Sequence, residues 1–182
     1  MGRVIEADDW DDWYALFEFR QSAYRLETLQ TYAEPEEAEA VARFLATGEA
    51  RLDTSWWESL IRRQRDAGRT ATRVRVLVEP FSDYTRFETL CFLRFVEAGE
   101  DIRVIPTTAE NWPPGIPSRD YWLFDDRDVW AMHYSEAGPF VRAELLDDPA
   151  VIAEHLRWRD VALAQAVPLR DYLASRAESQ TS

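Results

Sequence analysis

The chain has no lysine; all 21 of its basic residues are arginine. That absence excludes Schiff-base chemistry, a lysine general base and a phosphate-loop lysine. The bias itself is what a GC-rich genome produces. Cysteine occurs once, as Cys91 in an apolar run, and reads as a small buried hydrophobe, not a reactive thiol. His133 and His155 are the only histidines, and with one distant cysteine they make no zinc-type cluster. No EF-hand-like spacing is present, which leaves a carboxylate-only Mg²⁺ or Ca²⁺ site without a motif. No metal or other cofactor is expected. The six glycines form no GxGxxG, GxSxG or phosphate-loop pattern. No apolar run approaches the roughly 18–20 residues that span a bilayer, so no membrane partner is expected. The acidic opening MGRVIEADDWDDW is unlike a secretory leader, and the expected location is cytoplasmic.

What is present is a chain of 182 residues, 46% hydrophobic, with eight tryptophans. At this length roughly 70% of the unfolded surface can be buried, so no disulfide or metal staple is needed. One domain over residues 1–175 is expected, followed by a disordered tail at 176–182. A net charge of −13 argues against direct nucleic-acid binding, which depends on neutralising phosphates. Arg62, Arg63 and Arg65 fall late in a predicted helix, where cations suit the macrodipole.

Periodicity predicts a helix opening near Asp8 to Asp12 with Trp10, Trp13, Tyr14 and Phe17 on one face, then a strand over 22–32. Pro35 opens a helix whose apolar face is Ala38, Val41, Ala42 and Leu45 and which Gly48 stops. Ser55 and Glu58 match a capping box for a third helix, with Trp57, Leu60, Ile61 and Gln64 on one side. Trp56 and Trp57 cannot both face inward, since helix neighbours differ by about 100°. In the strand at 72–79, Val74, Val76 and Val78 point one way; Arg73, Arg75 and Leu77 on the other side suggest a sheet edge. Ser82 caps a helix to Val96, although LCFLRFV is also strand-like. A short strand at 102–105, a proline-rich loop at 106–120, three strands at 121–126, 128–135 and 140–146, and a long helix from Asp148-Pro149 complete the pattern. The fold class is α/β, with α+β as the variant: a single sandwich-like domain with a central mixed sheet and flanking helices.

The stretch Glu79 to Arg103 sets Ser82, Asp83, Arg86 and Glu88 at one end of an apolar run and Glu97, Glu100, Asp101 and Arg103 at the other. Burying a polar group unpaired costs about 1–3 kcal/mol, so the cluster is either a structural clamp or a pocket rim. As a site, Asp83, Tyr84, Arg86 and Glu88 would work with Glu100, Asp101, Arg103 and Asp125: arginine forks hold an anionic substrate while a carboxylate moves a proton. Asp125 and Asp126 also read as turn residues. His133 is a general-base candidate on a strand, with a structural histidine as the other reading; His155 reads as core. Trp112, Tyr121, Trp122, Trp130 and Tyr134 crowd one region, either as core or as an aromatic ligand pocket in which Trp122 and Trp130 would contact ligand.

Several segments resemble an uncharacterised actinobacterial family of domains of unknown function: YAEPEEAEAVARFL (32–45), RVRVLVEPFSDYTRFE (73–88), EAGEDIR (97–103), and YWLFDDRDVW through ELLDDPAVI (121–152). The SDYxRxE, AGEDIR and WLFDD runs are the most specific. That resemblance implies genes lying beside helix-turn-helix regulators and small antitoxin-like proteins. A more distant resemblance is to the phospholipase D motif, whose histidine, lysine and aspartate positions here hold Ser118, Asp120 and Asp125. It implies such a scaffold without the phosphodiester chemistry. The leading expectation is therefore a non-enzymatic regulatory or interaction module that partners a helix-turn-helix regulator or antitoxin-like protein, or senses a small ligand. The alternatives are a small-molecule enzyme of natural-product metabolism using carboxylate, tyrosine and arginine, and an acidic DNA mimic.

Overall fold

The computed structural model describes residues 2–179. The chain runs β1 (Val4–Glu6), α1 (Trp10–Leu16), β2 (Ser22–Glu27), a 3₁₀ turn at Pro35–Glu37, α2 (Ala38–Thr47), α3 (Ser55–Asp66), β3 (Thr70–Glu79) and α4 (Asp83–Ala98). It continues with β4 (Asp101–Thr108), β5 (Tyr121–Phe124), β6 (Asp128–Tyr134), β7 (Phe140–Leu146), α5 (Pro149–Gln165), β8 (Val167–Pro168) and α6 (Leu169–Ser179). The strands make one mixed sheet in the order β1-β7-β6-β5-β2-β3-β4-β8. β2, β3 and β4 pair in parallel, joined by helical crossovers, and every other pairing is antiparallel. The expected α/β sandwich is what forms.

The two faces of the sheet differ in kind. One is wholly apolar at its centre: Tyr24, Leu26, Val74, Val76, Tyr121 and Leu123 meet Ile152, Leu156 and Val161 of α5. Asp148 starts that helix by accepting from the N–H of Ala150, with Pro149 in the first turn. The opposite face carries α1 to α4 and α6. There Phe17 and Leu60 pack on Trp122 and Phe124, while Phe92, Phe95 and Leu169 pack on Leu77, Ile102 and Val104.

Several expectations are corrected. β3 is a central strand flanked by β2 and β4, and Arg73 and Arg75 are buried, not edge residues. α2 turns Ala40 and Phe44 inward, with Val41 beside them, and leaves Ala38, Ala42 and Leu45 exposed. Thr54, not Ser55, is the N-cap of α3; its hydroxyl donates to Glu58, and Asp53 accepts from the Ser55 N–H. α4 is a helix throughout, capped as expected by Ser82 accepting from Thr85. β4 extends through Pro106 to Thr108 in parallel with β3, which shortens the loop. α6 stays helical through Ser179, past the point where the sequence reading begins a disordered tail. Residues 180–182 of that tail lie outside the described residues. No helix among the described residues is long and apolar enough to cross a membrane.

Candidate functional site: an aromatic cavity over a charged floor

The site begins with strand parity. Tyr24, Leu26, Val74 and Val76 face α5, so Arg25, Glu27, Arg73 and Arg75 must face the other way. Register then sets Trp122, Arg25, Arg73 and Ile102 side by side across β5, β2, β3 and β4. Two arginines directly opposite each other repel. Glu27, two residues along β2, answers both: its Oε1 accepts from Arg25 Nε at 3.3 Å and from Arg73 Nη1 at 2.6 Å.

The helical layer supplies the remaining counter-charges. Glu88 of α4 accepts from Arg75 Nε at 2.8 Å. Gly99, at φ 119°, closes α4 in a left-handed turn that sends Glu100 back to the sheet. There Glu100 accepts from Arg73 Nε at 2.8 Å and from the indole N–H of Trp57 at 2.7 Å. Asp120, just before β5, accepts from the N–H and hydroxyl of Thr28, from Tyr32 and Tyr134, and from Arg25 Nη2 at 3.3 Å. Seven buried ionisable groups thus pair: Arg25, Arg73, Glu27, Glu100 and Asp120 form one linked network, and Arg75 pairs with Glu88 beside it. Rings complete the environment, with Arg25 lying over Trp122 at 5.3 Å and Arg73 over Phe92 at 5.0 Å.

Above this floor lies a cavity of about 540 Å³. Its floor holds Arg25, Glu27, Arg73 and Trp122; its walls are Trp13, Phe17, Tyr32, Trp57, Tyr84, Phe87, Glu88, Phe92 and Tyr134. The mouth is marked by exposed Trp10 and Trp56, 53% and 47% accessible, and by the Glu34–Glu37 turn. Trp57 points inward and Trp56 outward, with the Tyr14 ring tilted against Trp56 at 4.7 Å. A second cavity of about 490 Å³, lined by Thr28, Ser118, Asp120 and Gly138, shares Met132 and Tyr134 with the first.

Electrostatics follow from burial. Desolvation works against the ionised form of Glu27, yet Arg73, Arg25 and Arg75 outweigh it and hold the carboxyl down at about 2. Glu88 goes the other way: desolvation, reinforced by the charge of Glu27 and only partly offset by Arg75, pushes it up to about 7. Burial raises Glu34 and Glu37, with neighbouring glutamates adding to the effect. It also pushes the Cys91 thiol up to about 12. Cys91 lies against Ala40, Phe44 and Phe87 as well as the cavity.

The structure divides the residues that the sequence grouped together. Tyr84, Glu88 and Trp122 line the cavity, and Glu100 lies within the charged floor. On the surface Asp83 forms an ion pair with Arg86, and Asp101 with Arg103. Trp130 is buried in the core beside Trp122, away from the cavity lining. His133 faces Glu144 at 3.2 Å on the neighbouring strand, outside the cavity, and His155, on α5, is buried against Tyr121. Asp125 sits in the turn between β5 and β6. At φ 53° it accepts from the N–H groups of Arg20, Gln21 and Ser22 and so pins the start of β2 to the β5–β6 hairpin. Of the phospholipase D positions, Ser118 and Asp120 line the second cavity and Asp125 does not.

Sequence reasoning missed Arg25, Glu27, Arg73, Arg75, Tyr32 and Asp120 as parts of one site. A signal was present, since charges of both signs share one parity on two strands whose alternate residues are strongly apolar. Among the described residues, no group of three or more histidine, cysteine or acidic side chains is arranged to hold a metal.

Residues 8–174 match the family described as Domain of unknown function (DUF6879). The chain belongs to the DUF6879 family. No curated protein matches it. Apart from Ala7, the residues that line the cavity all fall within the match.

Removing one member of a buried ionic network strands its partners, which costs about 3–5 kcal/mol, whereas an exposed pair is worth about 0–1 kcal/mol. Arg73→Ala should therefore lower unfolding stability by several-fold more than Arg86→Ala in urea titrations. Equal effects would contradict the assignment. The raised Glu88 carboxyl destabilises the folded state once it ionises. Its contribution is fully present below the unfolded value of 4.5 and is lost as pH rises through about 7. The stability of the wild type relative to Glu88→Gln should fall between those limits, by at most about 1.4 kcal/mol per pH unit. A difference independent of pH would remove the shift.

Proposed function

We propose that this protein is a non-enzymatic sensing module that binds a small organic molecule in the aromatic cavity and presents its occupancy to a protein partner. The cavity itself carries the reading. At about 540 Å³ it has the size of a small-molecule site, and half of its lining residues are aromatic. The charged groups of its floor are engaged with one another and are poorly placed to act on a substrate. The floor arginines are held by carboxylates, the Tyr84 hydroxyl donates to Glu37 at 2.7 Å, and the one thiol is held far from its reactive form. The exposed Trp10, Tyr14 and Trp56 at the mouth offer a surface that occupancy could alter. By the family resemblance, the expected partner is a helix-turn-helix regulator or an antitoxin-like protein. A phospholipase D-like scaffold would fit this role, with Ser118 and Asp120 where that chemistry needs histidine and lysine.

One observation favours an enzyme instead. Glu88 lines the cavity with its carboxyl near pH 7, which suits a general acid or base.

The test is to purify the chain from its own cells and identify small molecules released on denaturation. The expected result is one compound near one per chain, unchanged after prolonged incubation and depleted from a Trp10→Ala/Trp56→Ala variant. No enriched compound overturns the ligand reading. Conversion of the compound by the wild type but not by Glu88→Gln establishes the enzyme.

A further inference from the structure

The charges around the cavity also indicate what sort of molecule it takes, an inference that rests on the ligand-binding reading above. Five carboxylates line the cavity, Glu27, Glu34, Glu36, Glu37 and Glu88, against two arginines, Arg25 and Arg73. Both arginines are committed, Arg25 to Glu27 and Asp120 and Arg73 to Glu27 and Glu100. Glu88 is matched by Arg75 from below. Among the described residues no arginine forms an ion pair with Glu34, Glu36 or Glu37. The unmatched charge of the cavity is therefore negative and sits at its mouth.

A second observation is independent of that acidic turn. Glu27, only 6% exposed on the cavity floor, has its Oε2 without a hydrogen-bond partner. A buried carboxylate oxygen left bare lacks a donor. Arg25 Nη1 is also unpartnered, but the Arg25 guanidinium is bracketed by Glu27 and Asp120, so an anion approaching it would meet carboxylates on both sides.

The rings beside the acidic turn suit a cation. Tyr32 lies 6.2 Å from Tyr84 and 5.4 Å from Tyr134, and Tyr84 donates to Glu37. Aromatic faces attract organic cations through the ring quadrupole, more strongly once water is excluded. We propose that the cavity selects a small organic cation, an amine or quaternary ammonium on an apolar or aromatic body. Its charged head sits by Glu34, Glu36 and Glu37 among the tyrosines, and its body lies against Trp13, Trp57 and Trp122. Burial raises the Glu34 and Glu37 carboxyls, and their acidic neighbours raise them further; a bound cation would relieve that repulsion.

The experiment uses matched probes on the full chain, read by calorimetry and tryptophan fluorescence. They are 2-phenylethylammonium and benzyltrimethylammonium as cations, 2-phenylethanol as the neutral probe and 3-phenylpropanoate as the anion. The cations should bind at least about tenfold more tightly than the other two, and added salt should weaken them. Glu34→Gln/Glu37→Gln should erase most of that preference while leaving 2-phenylethanol unchanged. Glutamine still accepts from Phe140 N–H and from Tyr84, so the fold is kept. Neutral or anionic probes binding as well as the cations would overturn the cation assignment and leave the cavity as a ligand site. Failure of every probe to bind would overturn the assignment too; a compound recovered from the cells would then still support the ligand-binding reading alone.

Discussion

A guanidinium taken out of water must be met by a carboxylate, and three of them on adjacent strands constrain everything built around them. Desolvation costs several kcal/mol per ion even after relaxation, so each partner must arrive in good geometry. Here each Nε–H finds its own carboxylate, from β2, from α4 and from the turn that leaves α4. The placement of α4 therefore has two causes. Phe92 and Phe95 bury apolar surface against Leu77 and Ile102, while Glu88 and Glu100 fix the helix over Arg75 and Arg73. Such a network makes a modest net contribution to stability, yet losing one member is costly.

The same constraint explains why the cavity lies on this face. Behind the sheet, α5 can close down on a continuous apolar surface, and it does. In front, a charged strip interrupts the apolar surface, and side chains that meet it do so with ring faces and indole N–H groups, as Trp57 shows. The aromatic residues stand around the strip as walls, which leaves room for a molecule. The small-ligand reading and the proposed preference for a cation both grow from that asymmetry: rings and unmatched carboxylates surround a floor whose guanidiniums are already met by carboxylates.

Much of the architecture was legible in the sequence because local signals agreed. The alternation of Val74, Val76 and Val78, the Ser82 cap, and the hairpin strands to Leu146 are each set by neighbours in the chain. The charged floor was not legible, for a physical reason. An arginine on a strand reads as exposed unless its counter-charges are known, and those of Arg73 come from positions 27 and 100. Proximity in sequence misled in the opposite direction. Asp83, Arg86, Asp101 and Arg103 flank the apolar helix yet satisfy one another locally in water, while Tyr84 and Glu88, on the inner side of the same helix, reach the cavity.

The central claim, that Arg25, Arg73 and Arg75 are buried with each Nε–H held by a carboxylate, is open to a direct measurement. Hydrogen exchange of the arginine Nε–H groups can be followed by ¹⁵N-resolved NMR and assigned with single arginine-to-methionine variants. The account predicts that these three signals persist long after those of exposed arginines such as Arg86 have exchanged. Exchange of all three at the rate of Arg86 would contradict it.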